Sequence, residues 1–182
     1  MGQNTTDKKR SKRKLLLLDI LIAELLILSD QFTKHLAITY LKHQPAYSII
    51  DGVLEFNYLE NKGVAFGLLQ NQETLFLFVG IIFLSVICYT LYKAPYKKKY
   101  AVLHVLLTFL AAGAIGNMID RIRLGYVVDF IYFVSINFPI FNVADIFVTV
   151  ATVIIFFLFL FYYKEEDLSF LSFKIRKYRE IK

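Results

Sequence analysis

The sequence of 182 residues is poor in cysteine, the residue type that cross-links small domains and binds metal clusters. It has one cysteine, Cys88, so neither an internal disulfide framework nor a cysteine-rich metal cluster can form. It also lacks a glycine-rich phosphate-binding loop. Charged residues make up 20% of the chain, below the roughly 25% of a soluble domain. This composition excludes a soluble single domain, a disordered chain and a collagen-like repeat.

Hydrophobic residues are abundant instead, at 57% of the chain. They gather in four runs, which we predict to be transmembrane helices at residues 15–38, 75–92, 100–119 and 141–163. Eighteen helical residues cover roughly 27 Å, which is enough to cross the hydrocarbon core of a bilayer. The sequence therefore predicts a single membrane-embedded domain, residues 1–182, with a mainly α-helical core.

The basic residues predict how this domain sits in the membrane. Sixteen of the 21 Lys and Arg residues lie in three short segments beside the apolar runs, at residues 1–14, 93–99 and 164–182. Such clustering is the positive-inside pattern, not a nucleic-acid groove, so no nucleic-acid partner is expected. Both termini and the 93–99 loop are then cytoplasmic. Residues 39–74 and 120–140 face the outside.

The outer segments have the pattern of β-structure. Asp51-Gly52 is a turn dipeptide between β-favouring residues, and apolar and polar residues alternate over residues 54–58. We predict a small sheet at residues 47–59, lying on the membrane surface. A second β-like run covers residues 126–133 within the other outer segment.

Acidic residues gather at the predicted outer level of the membrane. Asp30 lies near the outer end of the first span, Asp120 ends the third, Asp129 is in the outer loop and Asp145 begins the fourth. Each one alone also fits a structural role, as a helix cap or an ion-pair partner. Two carboxylates held together in a low-dielectric site share a proton, so that one can deprotonate water while the other protonates a carbonyl oxygen. The same layer contains three amides, Asn61, Asn117 and Asn142.

Two other classes of protein remain open on these residues alone. A transporter or proton channel could use Glu24, Asp30 and Asp145 as a relay through the bilayer. A structural adaptor could use its basic tails to bind anionic lipid or a partner. A Ser–His or zinc site is not indicated, because His104, inside the third span, lies on the cytoplasmic side and favours ordinary packing.

Five short motifs resemble those of the prokaryotic lipoprotein signal peptidases (signal peptidase II), in the order found in that family. The departures are few: Ile146 stands where the family usually has Ser, and Val64 where Ala is common. Each motif is weak alone, but five at the expected depths are specific. They are Asp30–Lys34 (DQFTK), Asn61–Gly67 (NKGVAFG), Gly113–Arg121 (GAIGNMIDR), Gly125–Phe130 (GYVVDF) and Phe141–Asp145 (FNVAD).

The resemblance implies an aspartic endopeptidase that needs no metal or organic cofactor. Its substrates would be diacylglyceryl-prolipoproteins, cleaved just before the lipid-modified cysteine, and it would work as a monomer among the lipids of the cell (cytoplasmic) membrane. Its fold would be four transmembrane helices, a small extracytoplasmic β-cradle and a short second outer loop.

The resemblance also implies residue roles, carried over motif by motif. Asp129 and Asp145 would be the catalytic pair. Asp30 and Lys34 would support the end of the first helix, and Asp120 would orient Arg121. Substrate binding would fall to Asn61, Gly63, Asn117, Arg121 and Asn142.

Overall fold

The structure of the protein is a computed structural model that describes residues 3–63 and 73–171. Residues 64–67 of the second motif, and residues 172–182 of the predicted cytoplasmic tail, lie outside the described residues.

Four α-helices form the core of the described part. Three of them contain stretches long and apolar enough to cross a membrane, namely Thr74–Lys93, Lys98–Leu124 and Val143–Tyr162. The first helix is longer but carries Asp19, Glu24, Asp30 and Lys34 along its predicted membrane stretch. The helices are α1 (Gln3–Tyr40), α2 (Glu73–Lys93), α3 (Ala101–Leu124) and α4 (Val143–Phe157), the last continued by a π-helical turn, Leu158–Tyr162.

Helix α3 is the centre of the bundle and contacts each of the other three helices. Over half of its apolar stretch is buried, whereas the corresponding stretches of α2 and α4 are mostly exposed, as expected for faces that meet lipid. Small residues allow the close approach of neighbours. A Cβ atom at Gly113 would lie 2.7 Å from the Ala144 carbonyl oxygen of α4, and one at Gly116 would lie 2.5 Å from Asp30 Oδ2 of α1.

A three-stranded antiparallel sheet covers the end of the bundle where α1 and α3 end and α4 begins. Its strands are β1 (Tyr47–Ile50), β2 (Leu54–Asn61) and β3 (Val127–Phe133), with β2 in the middle. The turn between β1 and β2 places Gly52 at a φ of 70°, which glycine adopts without strain. The sheet predicted at residues 47–59 is thereby confirmed. Ala37 of α1 packs with Val128 and Phe130 and joins the sheet to the helices.

Several helices have other bounds than predicted. Helix α3 runs to Leu124, five residues beyond the predicted end, and stops where Gly125 takes a left-handed conformation and its N–H bonds to the Arg121 carbonyl oxygen. The β-like run predicted at residues 126–133 is confirmed as strand Val127–Phe133, which pairs with β2 in the same sheet. This pairing brings Asp129 opposite Leu59 and close to Asn61, which ends β2.

Candidate active site

Asp129 lies in β3 and is 1% exposed. Each of its carboxyl oxygens accepts a hydrogen bond from an amide side chain. Asn61 Nδ2 donates to Oδ2 at 2.7 Å, and Asn142 Nδ2 donates to Oδ1 at 2.6 Å. The carboxyl group is thus held from both sides by groups on β2 and on the start of α4.

Burial raises the pKa of Asp129 to about 7, and the negative charge of Asp145 adds to this effect. The hydrogen bonds from Asn61 and Asn142 and the positive charge of Lys34 act in the opposite direction, because each favours the carboxylate form. An acidic group with a pKa near neutrality can carry a proton at the pH where a cell works. It is therefore suited to acid–base chemistry.

Asp145 lies in the first turn of α4, where the helix dipole favours negative charge. It forms a capping box with Asn142: the Asp145 N–H donates to Asn142 Oδ1 at 3.1 Å, and Asp145 Oδ2 accepts from the Asn142 N–H at 3.2 Å. Its other oxygen, Oδ1, accepts from Asn117 Nδ2 of α3 at 2.8 Å. Unlike Asp129, this side chain is only partly buried.

Two asparagines connect the aspartates. Asn142 Nδ2, which binds Asp129, also donates to Asn117 Oδ1 at 3.2 Å, and Asn117 in turn donates to Asp145. The side chains predicted from the catalytic motifs therefore meet in one hydrogen-bonded chain, Asp129–Asn142–Asn117–Asp145.

Lys34 lies behind this chain and is 2% exposed. Its ammonium group has three acceptors: Asp120 Oδ2 at 2.9 Å, Asn117 Oδ1 at 2.9 Å and Asp30 Oδ2 at 3.0 Å. An ammonium has three N–H donors, so all of them are used. The i, i+4 pairing of Lys34 with Asp30 follows from helix spacing, but the two contacts to α3 do not.

Asp30 and Asp120, the two carboxylates that bind Lys34, each also accept a hydrogen bond from a backbone N–H. The two N–H groups lie next to Asp145 and Asp129. Asp30 Oδ1 accepts from the Ala144 N–H at 3.0 Å, one residue before Asp145. Asp120 Oδ2 accepts from the Val128 N–H at 3.1 Å, one residue before Asp129. Asp30 and Asp120 therefore each fix a backbone N–H beside one of the two aspartates.

Arg121 and Gly63 each donate a hydrogen bond to an asparagine of the site. The Arg121 guanidinium donates to the Asn117 carbonyl oxygen at 3.3 Å and lies 5.3 Å from the centre of the Phe76 ring, and its described hydrogen bonds do not include Asp120. The Gly63 N–H donates to Asn61 Oδ1 at 3.0 Å, which turns the Asn61 amide nitrogen toward Asp129.

The sequence reasoning missed Gln31. Its side-chain nitrogen donates to Asp120 Oδ1 at 2.9 Å and to the Gly116 carbonyl oxygen at 3.2 Å, and lies 3.2 Å from Asp30 Oδ2. It therefore ties α1 to α3 beside Lys34. The available signal was its place in the first motif, directly after Asp30.

The residues of the alternative relay do not form one path. Asp30 is fully buried, whereas Glu24 is exposed on the surface of α1. On the opposite side of the bundle His104 lies 3.3 Å from Asp19 and packs against the ring of Tyr96. Asp19 thus has a partner on α3.

Apolar helices long enough to cross a membrane, with two aspartates joined through asparagines at one end, define an integral membrane protein. A family model described as signal peptidase (SPase) II matches residues 22–161. The chain belongs to the signal peptidase II family.

Individual relatives agree with this assignment. A lipoprotein signal peptidase of Caldanaerobacter subterraneus subsp. tengcongensis is 42% identical over 143 residues, covering 78% of this chain and 95% of the relative. One of Enterococcus faecalis is 42% identical over 145 residues, covering 79% and 88%. A bacterial membrane enzyme solved by the in meso method at 2.3 Å resolution superposes with a TM-score of 0.70 at 32% identity, covering 91% of this chain and 94% of that one.

The titration of Asp129 can be measured by NMR with carbon-13-labelled aspartate in detergent micelles. We expect a pKa of about 7 for Asp129, so that the group is protonated below that pH and ionised above it. Asn61→Leu should raise the pKa further, because a donor to the carboxylate is lost, and Asp145→Asn should lower it, because a nearby negative charge is lost. The exposed Asp51 is the internal control. Titration of Asp129 near 3.9, the ordinary value for aspartate, would contradict this description of the site.

Proposed function

We propose that Asp129 and Asp145 are the catalytic pair of an intramembrane aspartic endopeptidase that removes signal peptides from diacylglyceryl-modified prolipoproteins, cleaving before the lipid-modified cysteine. Cleavage of prolipoprotein signal peptides is the activity of the family to which the chain belongs. The observation that carries the proposal is the hydrogen-bonded chain from Asp129 through Asn142 and Asn117 to Asp145.

The pair has the properties that peptide hydrolysis needs. Two carboxyl groups with one shared proton can act together, one removing a proton from water while the other donates a proton to the scissile carbonyl oxygen. Their amide partners fix both groups in place before substrate arrives, so little reorganisation is needed during the reaction.

Arg121 is the best-placed group for binding the substrate backbone. Its guanidinium has five N–H donors, and one described hydrogen bond, to the Asn117 carbonyl oxygen, uses one of them. Asn61, Asn117 and Asn142 bind the catalytic pair or each other through their side chains. A direct contact of these three with substrate stays a prediction, as does a close approach of substrate at Gly63.

We further propose that all four helices cross the membrane and that the site faces the outside. Helix α1 has the length to span, and its Asp30 and Lys34 are neutralised by pairing inside the bundle. The clusters of Lys and Arg put both termini on the cytoplasmic side. That the protein works as a monomer stays a prediction.

Conservative substitution of the pair tests its role. Asp129→Asn and Asp145→Asn should each lower turnover roughly 10³-fold or more, because an amide can neither take a proton from water nor share one with its partner. The double variant should be scarcely worse than either single one, because the two groups act as a unit. The assay is cleavage of a diacylglyceryl-prolipoprotein by the purified protein in detergent.

Asp51→Asn is the matched control, since Asp51 is an exposed aspartate of the β1–β2 turn, and full activity is expected. Substantial turnover by a folded Asp129→Asn or Asp145→Asn protein would show that the pair is not catalytic.

The lipid on the substrate should contribute to catalysis. Apolar helix faces beside the site can bind the acyl chains and hold the scissile bond at the pair. Each buried CH₂ contributes about 0.8 kcal/mol, so an unlipidated precursor should have a kcat/KM lower by on the order of 100-fold or more. Equal kcat/KM values for the lipidated and unlipidated forms of one precursor would show that the lipid is not recognised.

The proposed orientation can be tested with reporter fusions. Fusions after Lys98 and after Lys182 should both report a cytoplasmic location, and an insertion in the Asp51-Gly52 turn should report an outer location. A signal from the outer side at Lys98 or Lys182 would refute the four-span topology.

A further inference from the structure

Lys34 contacts three of the residues that support the pair, namely Asp30, Asp120 and Asn117. Through Asp30 it is connected to the backbone of Ala144, and through Asp120 to that of Val128, the residues that precede Asp145 and Asp129. Its third contact, to Asn117, leads to the pair through a side chain. A residue needed only to neutralise the end of α1 would not require this third contact.

The third contact fixes which way the Asn117 amide faces. Lys34 can only donate, so it must bind the carbonyl oxygen of Asn117 and not its amide nitrogen. The NH₂ group is then turned toward Asp145 Oδ1, to which it donates at 2.8 Å. If the amide were reversed, its oxygen would face a carboxylate oxygen.

The surroundings of the two aspartates differ. Asp145 is partly exposed, lies at the N-terminus of α4 and accepts hydrogen bonds from Asn117 Nδ2 and from the Asn142 N–H. Asp129 is almost fully buried, which disfavours its charge. The charged groups that act on the pair include Lys34 of α1 and Arg121 of α3.

Building on the proposed function, we propose that Lys34 is a positioning residue for the hydrolysis: through Asn117 it holds Asp145 as the carboxylate that deprotonates water, while Asp129 is the acid that protonates the scissile carbonyl.

Each proton that moves in this reaction has a donor and an acceptor. Asp145 takes a proton from the water whose oxygen bonds to the carbonyl carbon, and Asp129 gives its proton to the carbonyl oxygen. When the C–N bond of the resulting gem-diol breaks, Asp145 passes its proton to the departing nitrogen. One hydroxyl proton returns to Asp129, which restores the starting state.

The test must separate positioning from folding. Lys34→Met alone leaves two buried carboxylates without their cation, so the informative variant is the double substitution Lys34→Met/Asp30→Asn, which leaves the net charge of the cluster unchanged. The new asparagine keeps an oxygen for the Ala144 N–H. The matched control is Lys42→Met/Glu60→Gln, which removes a 2.9 Å ion pair at the sheet whose two residues make no described hydrogen bond to the catalytic chain.

We expect the Lys34 double variant to fold, with a Tm close to that of the wild type, but to lose about 10- to 100-fold in kcat, as for one hydrogen bond to a charged group. Its KM for the diacylglyceryl-prolipoprotein should be unchanged. Adding Asn117→Leu should cause little further loss, because both changes break the same connection. The Lys42 control should keep full activity. A folded Lys34 double variant with wild-type kcat would overturn the inference.

Asn117→Leu alone gives an independent measurement, because it leaves the contacts of Lys34 to Asp30 and Asp120 intact. A lower kcat at unchanged KM supports the positioning role. A higher KM at unchanged kcat means that Asn117 only binds substrate, and it overturns that role. The same assay separates the two proposals: if Asp129→Asn is inactive while the Lys34 variant is fully active, only the positioning role fails, whereas a wild-type protein that does not cleave refutes the proposed function.

Discussion

The site is organised around one buried positive charge. The ammonium of Lys34 has almost no contact with solvent, and an unpaired charge at that depth would be very costly. It is tolerated because three acceptors from two helices surround it. Removing one partner of such a buried pair typically costs about 3–5 kcal/mol, so the arrangement strongly restricts where α1 and α3 can lie relative to each other.

That restriction on the helices reaches the proposed catalytic pair through the backbone. Asp30 and Asp120, which pair with Lys34, hold the N–H groups that precede Asp145 and Asp129. The close approach of α1 to α3 depends on Gly116, where a Cβ atom would collide with the Asp30 carboxylate. The start of α4 and strand β3 are thereby fixed at one spot, and the carboxyl groups of Asp129 and Asp145 both accept hydrogen bonds from Asn142.

Much of the fold and of the site could be predicted from the sequence. The contacts that could not be predicted have a physical reason in common. The depth of the four aspartates followed from span length and charge, and the β1–β2 hairpin followed from Asp51-Gly52 and alternation. The pairing of β3 with β2 joins segments about 70 residues apart in the chain, which alternation alone cannot specify. Likewise the contacts of Asp30 with Ala144 and of Asp120 with Val128 depend on how helices pack, not on spacing within either motif.

The central claim is that Asp129 and Asp145 act on the same scissile carbonyl. The most direct test is a crystal structure with a diacylglyceryl peptide in which a hydroxyethylene group, a mimic of the tetrahedral intermediate, replaces the scissile amide. The account predicts that its hydroxyl oxygen lies roughly 2.6–3.2 Å from one carboxyl oxygen of each aspartate. A hydroxyl bound at Arg121 or in the lipid-facing region, out of reach of either carboxyl group, would contradict it.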